Sequence, residues 1–176
     1  MTTIEITEFD SPLGDVRIAT SAGRLCAMGF AEHWDRLQAR LQQRFGRGTA
    51  AAAQPATPLV GRLQAYFAGD LSALAGVDVD PGGTPFQRRV WDALLHIPAG
   101  QTTSYSAIAS AIGAPRAVRA VGAANGANPI WLVIPCHRAI GADGRLVGYA
   151  GGIERKRWLL QHEGALVRRG APVARP

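Results

Sequence analysis

The nucleophilic and basic chemistry available to this 176-residue chain rests on two cysteines and four histidines. One cysteine and one histidine are neighbours, Cys136 and His137, inside Ile134-Pro135-Cys136-His137-Arg138. A thiolate is a potent nucleophile, and an imidazole can take its proton near neutral pH. Pro135 fixes the backbone before the thiol, and Arg138 is a nearby cation that favours a thiolate. Neighbours on a strand point to opposite faces, so adjacency alone does not give a Cys136–His137 contact. Glu163, after His162, supplies a carboxylate that can orient an imidazole as the third member of a relay. On spacing alone, a cysteine hydrolase or a redox thiol serves as well. Cys26 lies in a strand pattern and reads as a small buried hydrophobe. Two cysteines make no disulfide framework, and the scattered Cys and His positions match no zinc finger.

The elements around Cys136 must deliver and enclose it. Trp131-Leu132-Val133-Ile134 is a short apolar run, predicted to be a buried strand leading into Pro135. Residues 141–152 contain five glycines, which lets backbone groups approach a flat ligand. They lack the GxxxxGK[ST] order, so no triphosphate site is expected. Residues 153–162 read as a closing helix, with Ile153, Trp158, Leu159, Leu160 and the stem of Arg157 on or beside its buried side.

Upstream, Thr84-Pro85-Phe86-Gln87 has capping-box order and opens a helix with Phe86, Val90, Trp91, Leu94 and Leu95 as its apolar stripe. Ile97-Pro98-Ala99-Gly100 breaks it. Thr103 is predicted to cap a short helix running to Ile112, which Gly113 ends. Pro115 is predicted to open a second helix over Arg116–Gly122, ended by Asn125-Gly126. Two short helices with a tight Gly-containing turn, the second basic, fit a helix-turn-helix. Two ordinary core helices fit the pattern too. The second helix carries Ala117, Ala120, Gly122 and Ala123 instead of base-reading Asn, Gln and Arg. Small residues suit a partner read by shape, as in the minor groove. Arg119 is the long cation in its middle.

The first part reads differently. Residues 3–9 alternate apolar and polar, and Val16, Ile18, Leu25 and Ala27 continue a strand meander through turns at 10–14 and 21–23. Trp34, Leu37, Leu41 and Phe45 mark one face of a helix. Residues 46–57 are Ala-rich and predicted to be a loop. Pro58 opens a helix with Leu59, Leu63, Tyr66 and Phe67, closed by Gly69, and Val77 and Val79 suggest a last strand. Pro81-Gly82-Gly83 marks the boundary. The expected organisation is an α/β scaffold over 1–80, a DNA-binding and reactive domain over 81–166, and a disordered tail over 167–176.

Charge follows the same boundary. Residues 1–80 hold seven Arg against nine acids, a net of −2; residues 81–176 hold eleven Arg and Lys156 against four acids, a net of +8. A basic half suggests a polyanionic partner, with nucleic acid foremost. Only one of the 19 basic residues is Lys, a bias that limits what charge alone can prove. Hydrophobic residues at 47% fit a folded soluble protein, and no apolar run approaches a membrane span. The N-terminal MTTIEITEFD lacks the regions of a signal peptide, so a cytoplasmic location with reduced thiols is expected.

Some longer stretches go beyond pattern. Ile134-Pro135-Cys136-His137-Arg138, the preceding Arg119-Ala120-Val121-Gly122-Ala123-Ala124-Asn125-Gly126-Ala127-Asn128-Pro129, and the following Gly148-Tyr149-Ala150-Gly151-Gly152 and His162-Glu163-Gly164 resemble the O6-alkylguanine-DNA alkyltransferases. The likeness runs from about Thr84 to Gly164, with a weaker echo in Asp10-Ser11-Pro12-Leu13-Gly14. It implies an α+β fold: a ribonuclease H-like N-terminal domain with a small antiparallel sheet and helices, then a mostly helical winged-helix/helix-turn-helix domain. It implies direct-reversal DNA repair on double-stranded DNA containing O6-alkylguanine, with O4-alkylthymine a further candidate substrate. The protein would act as a monomer without cofactor or metal, with cooperativity along DNA left open. Each molecule would act once, because an S-alkylcysteine has no easy route back to the thiol.

Carried onto this chain, Cys136 resembles the alkyl acceptor, His137 its base through a water, and Glu163 the group that orients His137. Tyr105 is similar to the phenol that donates to the leaving guanine. Asn128 resembles the hinge between recognition helix and reactive segment. Arg119 is similar to the arginine that fills the gap left by a flipped nucleotide. Arg116, Ala120, Gly122, Thr103 and Ser104 fall at the DNA-binding positions. Tyr149, Trp131, Ala139, Ala150 and Arg138 fall around the substrate pocket.

Three departures stand out. Ala139 follows Arg138 where many members have Val, and the position contributes mainly a carbonyl. Ala150 replaces a Ser that donates to O6 in some members. Trp131 stands where some have Pro, and a bulky indole at the alkyl pocket would favour methyl over benzyl adducts. Zinc-bearing members use N-terminal Cys and His ligands; residues 1–80 offer only Cys26 and His33, so no structural zinc is expected. Two non-enzymatic alternatives follow. An alkyltransferase-like lesion sensor has another residue at the Cys136 position. A helix-turn-helix regulator carries an added module not expected here.

Overall fold

A computed structural model of the protein describes residues 3–46, 51–53 and 58–165. The predicted tail over 167–176 lies outside the described residues. The chain divides into two compact units: Met1–Gly82 with Pro129–Val133, and Gly83–Asn128 with Ile134–Pro176. The α+β fold class is as expected.

The first unit is built on a four-stranded sheet of order β3-β2-β1-β4. Strands β1 (Ile4–Ser11), β2 (Gly14–Ser21) and β3 (Arg24–Phe30) form an antiparallel meander. Ala22 and Gly23 both have positive φ, 49° and 77°, the conformation that joins twisted strands by a two-residue turn. Helix α1 (Trp34–Phe45) covers the sheet with Trp34, Leu37 and Leu41, which pack with Ile4, Ala19, Cys26 and Ala27. Helix α2 (Pro58–Phe67) buries Leu59, Val60, Leu63 and Tyr66.

The predicted loop over 46–57 contains a strand instead. Ala51–Ala53 form β4, parallel to β1 with Ile4 opposite Ala51. Poor intrinsic β-propensity is overridden there by an available sheet edge. Val77 and Val79 make no strand of their own: Val79 forms an isolated bridge to Leu25, flanked by Leu25 N–H to Asp78 O and Asp80 N–H to Leu25 O.

The segment Pro129–Val133 adds to the other side of β3's backbone. Met28 N–H donates to Pro129 O at 2.9 Å and Trp131 N–H to Met28 O at 3.0 Å. The run Trp131–Ile134 is buried as expected, but it is not a strand. Leu132 has φ 66° and Val133 N–H turns back to Trp131 O at 2.8 Å. A positive φ at a non-glycine residue breaks the extended backbone that a strand needs.

In the second unit, helix α3 (Pro85–Leu95) starts with the predicted capping box: Gln87 N–H donates to Thr84 Oγ1 and Thr84 N–H to Gln87 Oε1. Trp91 is buried beneath it and donates from Nε1 to Ala124 O at 2.9 Å. Thr103 does not cap the next helix. Thr103–Ser104 form a short β5, parallel to β6 (Ala139–Ile140), and Ser104 caps α4 (Tyr105–Ala111) by accepting from Ala107 N–H. Helix α5 spans Val118–Gly126; it starts later than predicted because residues 114–117 close a separate turn, Ala117 N–H to Ala114 O. Helix α6 (Ile153–His162) has the predicted span but buries Lys156, Leu159 and Leu160. Trp158 is half-buried and stacks on His162. No helix among the described residues is long and apolar enough to cross a membrane.

Candidate functional site

Cys136, His137 and Arg138 form a single 3-10 turn after Pro135, so the three side chains do not alternate as on a strand. The turn is closed by Arg138 N–H to Pro135 O at 3.0 Å. Cys136 is 3% exposed.

Two asparagines hold this segment, Asn125 near the end of α5 and Asn128 just beyond it. Asn128 Nδ2 donates to Ile134 O at 2.8 Å, and its side chain also bonds the Cys136 thiol. Asn125 Nδ2 donates to Cys136 O at 3.4 Å. Burial pushes the Cys136 thiol above its ordinary pKa; the Asn128 hydrogen bond and the Lys156 charge oppose this. The resting group is therefore a thiol, and it must lose a proton to attack.

His137 is fully buried, with Nε2 2.9 Å from Glu163 Oε1. Burial acts to raise the Glu163 pKa. Hydrogen bonds from His137 and Arg138, with their charges, outweigh it and hold the carboxyl far below the usual range. An ionised acceptor at Nε2 puts the ring proton on that nitrogen. Nδ1 is then a bare acceptor, and it has no protein partner. Burial lowers the His137 pKa despite Glu163, so the resting ring is neutral.

Arg138, expected to favour a thiolate, spends its guanidinium elsewhere. Its Nε and Nη2 bind Glu163, and Nη1 donates to Ile97 O at 2.5 Å. The cation that bears on Cys136 is Lys156. Lys156 is fully buried, and its Nζ donates to Ala139 O at 2.6 Å, Val147 O at 2.9 Å and Gly148 O at 3.3 Å. Burial lowers its pKa to about 8, with Cys136 opposing. Tyr105, at the start of α4, donates its hydroxyl to Val147 O at 3.2 Å. Burial, with a smaller contribution from Cys136, raises its pKa to about 12, so it stays a protonated donor.

The remaining expected residues fall in two groups. Arg116, Arg119 and Ala120 are exposed on and before α5, and Gly122, Thr103 and Ser104 are half-buried. Ala139 is buried, Tyr149 half-buried and Ala150 exposed in the glycine-rich segment. Trp131 belongs to the first unit. Its indole packs in the first unit on Phe30 and His33, with centroids 5.3 and 5.8 Å away.

Lys156 and Asn125 were not singled out as site residues from the sequence. Lys156 had a signal: it is the single lysine among 19 basic residues. A compact ammonium with three donors suits three carbonyls where a planar guanidinium does not. Asn125 had only its polarity on an Ala-rich helix.

Residues 85–165 match the family model of the 6-O-methylguanine DNA methyltransferase DNA-binding domain. A methylated-DNA–protein-cysteine methyltransferase of Salmonella typhimurium is 46% identical over 161 residues, spanning 89% of this chain and 94% of that protein. The chain belongs to the methylated-DNA–protein-cysteine methyltransferases. Among solved structures, the O6-methylguanine methyltransferase of Mycobacterium tuberculosis matches this methyltransferase with a TM-score of 0.78 and 43% identity, over 92% of this chain and 93% of the other. Mycobacterium tuberculosis OGT in complex with DNA matches with a TM-score of 0.78 and 44% identity, over 91% and 92%. In this methyltransferase the family match spans the helix pair α4–α5, the Cys136 turn and Glu163 together.

Proposed function

We propose that this protein reverses alkylation of duplex DNA by moving the alkyl group of O6-alkylguanine, chiefly methyl, onto Cys136 Sγ. The observation that carries the reading is the neutral, buried His137, in the same 3-10 turn as Cys136, bonded through Nε2 to an ionised Glu163 and bare at Nδ1. Nδ1 takes the Cys136 proton through a bridging water, and Glu163, held in place by Arg138, steadies the imidazolium that forms. Sγ then attacks the alkyl carbon. The S–C bond forms as the C–O6 bond breaks, and its electron pair leaves on guanine. Tyr105 supplies a hydrogen bond or proton to a guanine ring nitrogen, since an anionic purine is a poor leaving group. The product is a thioether, so each molecule acts once.

The target carbon is out of reach in a stacked duplex, so the base is extruded. Helix α5 presents Arg119 and Ala120 on an exposed face, which suits close minor-groove approach with Arg119 filling the vacated stack. Exposed arginines such as Arg88 and Arg116 supply phosphate contacts that salt weakens. Intact-mass measurement after incubation with an O6-methylguanine duplex tests the reading. One methyl on Cys136 is expected, and Cys136→Ala should bind the duplex yet gain no mass. An unmodified, DNA-bound wild type would instead mark a lesion sensor or regulator.

A further inference from the structure

The Val147 carbonyl has two donors on it: the Tyr105 hydroxyl at 3.2 Å and Lys156 Nζ at 2.9 Å. A carbonyl oxygen has two lone pairs, so both are occupied in the free protein. Tyr105 has one O–H. To donate to a departing guanine it must leave Val147, and a partly buried carbonyl stripped of its partners carries a desolvation penalty. Lys156 removes that penalty. It is fully buried on α6, its ammonium is fixed by Ala139 O and Gly148 O as well, and it stays on Val147 O when Tyr105 goes. Its Nζ also lies 6.0 Å from the Tyr105 ring centroid, which places the two groups in one neighbourhood.

We propose that Lys156 is a positioning residue for alkyl transfer: by keeping the Val147 carbonyl bonded, it frees the Tyr105 hydroxyl to switch from Val147 to the leaving base. This rests on the reading of Tyr105 as the donor to guanine. No atom of Lys156 touches the reacting bond in this scheme, and no proton of Lys156 is consumed. The same ammonium ties Ala139 to Val147 and Gly148, so the two sides of the glycine-rich segment stay together while Tyr105 moves.

The test is a double-mutant cycle on the full chain, read as single-turnover methyl transfer at saturating O6-methylguanine duplex, with duplex affinity measured in parallel. Tyr105→Phe is expected to slow transfer about 10- to 100-fold, and Lys156→Gln about 10-fold, each with affinity unchanged. In the Tyr105→Phe background, Lys156→Gln is expected to cost no more than about twofold. A full, multiplicative loss in the double variant would mean that Lys156 acts on the thiol or on the fold directly, and it overturns the proposal while leaving Tyr105 as donor. A Tyr105→Phe protein as fast as wild type would remove the underlying reading. Should Lys156→Gln fail to fold, the melting temperature of Tyr105→Phe decides. With Lys156 still on Val147 it should fall by less than about 3 °C, and a larger fall overturns the proposal.

Discussion

Arg138 grips Glu163 with two prongs, Nε on Oε2 at 2.9 Å and Nη2 on Oε1 at 2.8 Å, while His137 Nε2 sits 2.9 Å from the same Oε1. One carboxylate thus fixes the tautomer of the base and is itself fixed by a planar, permanently charged fork. The catalytic reading of His137 depends on this arrangement more than on its adjacency to Cys136.

Glu163→Gln should weaken both the fold and the chemistry. It leaves the Arg138 guanidinium without its counter-charge, and removing one partner of a buried pair costs about 3 kcal/mol. The amide also fails to enforce a proton on Nε2, so methyl transfer should slow by about 100-fold. Urea unfolding and single-turnover transfer at pH 7.5 check the two effects separately. A variant as stable as wild type would show the pair to be dispensable.

Acid should expose the same residues. Glu163 and His137 both have pKa values lowered by folding. The unfolded chain then binds more protons than the folded one in acid, so stability falls with pH. The loss starts below about pH 6.5 for His137 and below about pH 4.3 for Glu163, the unfolded values, and continues to the lower folded ones. Urea unfolding from pH 7 down to pH 3.5 should show stability falling throughout in wild type. In Glu163→Gln the lower part of that fall should be shallower, and curves of equal slope would contradict the assignment.

Arg119→Ala separates base extrusion from alkyl transfer. Arg119 is exposed on α5 and remote in sequence from the Cys136 turn. Filling a vacated stack offsets an unstacking cost of a few kcal/mol, so repair of the duplex should slow by about 10- to 100-fold. Reaction with free O6-methylguanine base, which needs no extrusion, should keep its wild-type rate. Equal slowing on both substrates would place Arg119 in the chemistry or the fold instead.

Local signals served the sequence reading where one residue type has one use. Thr84 and Gln87 mark a helix start by mutual hydrogen bonds, and that start is where it was predicted. The motif around Cys136 carried the family. Packing beyond local reach was less legible. Trp131–Ile134 has the apolarity of a strand, but Leu132 turns the backbone to positive φ to meet β3. Ala51–Ala53 has no strand propensity and is recruited by β1. A helical projection puts Lys156 between Leu159 and Leu160, on the apolar side, and only the folded loop brings three carbonyls to its charge.

The excursion at Pro129–Val133 bears on any attempt to shorten this protein. Residues 83–165 look like a self-sufficient reactive half, yet their chain leaves for five residues to finish the core of the other unit. A fragment cut at Gly83 would carry Ile130, Trp131, Leu132 and Val133 as orphaned apolar cargo, three residues ahead of Cys136. Such a truncation would trade a small, convenient tool for a sticky one, with the stickiness at the spot where the backbone must be most exact.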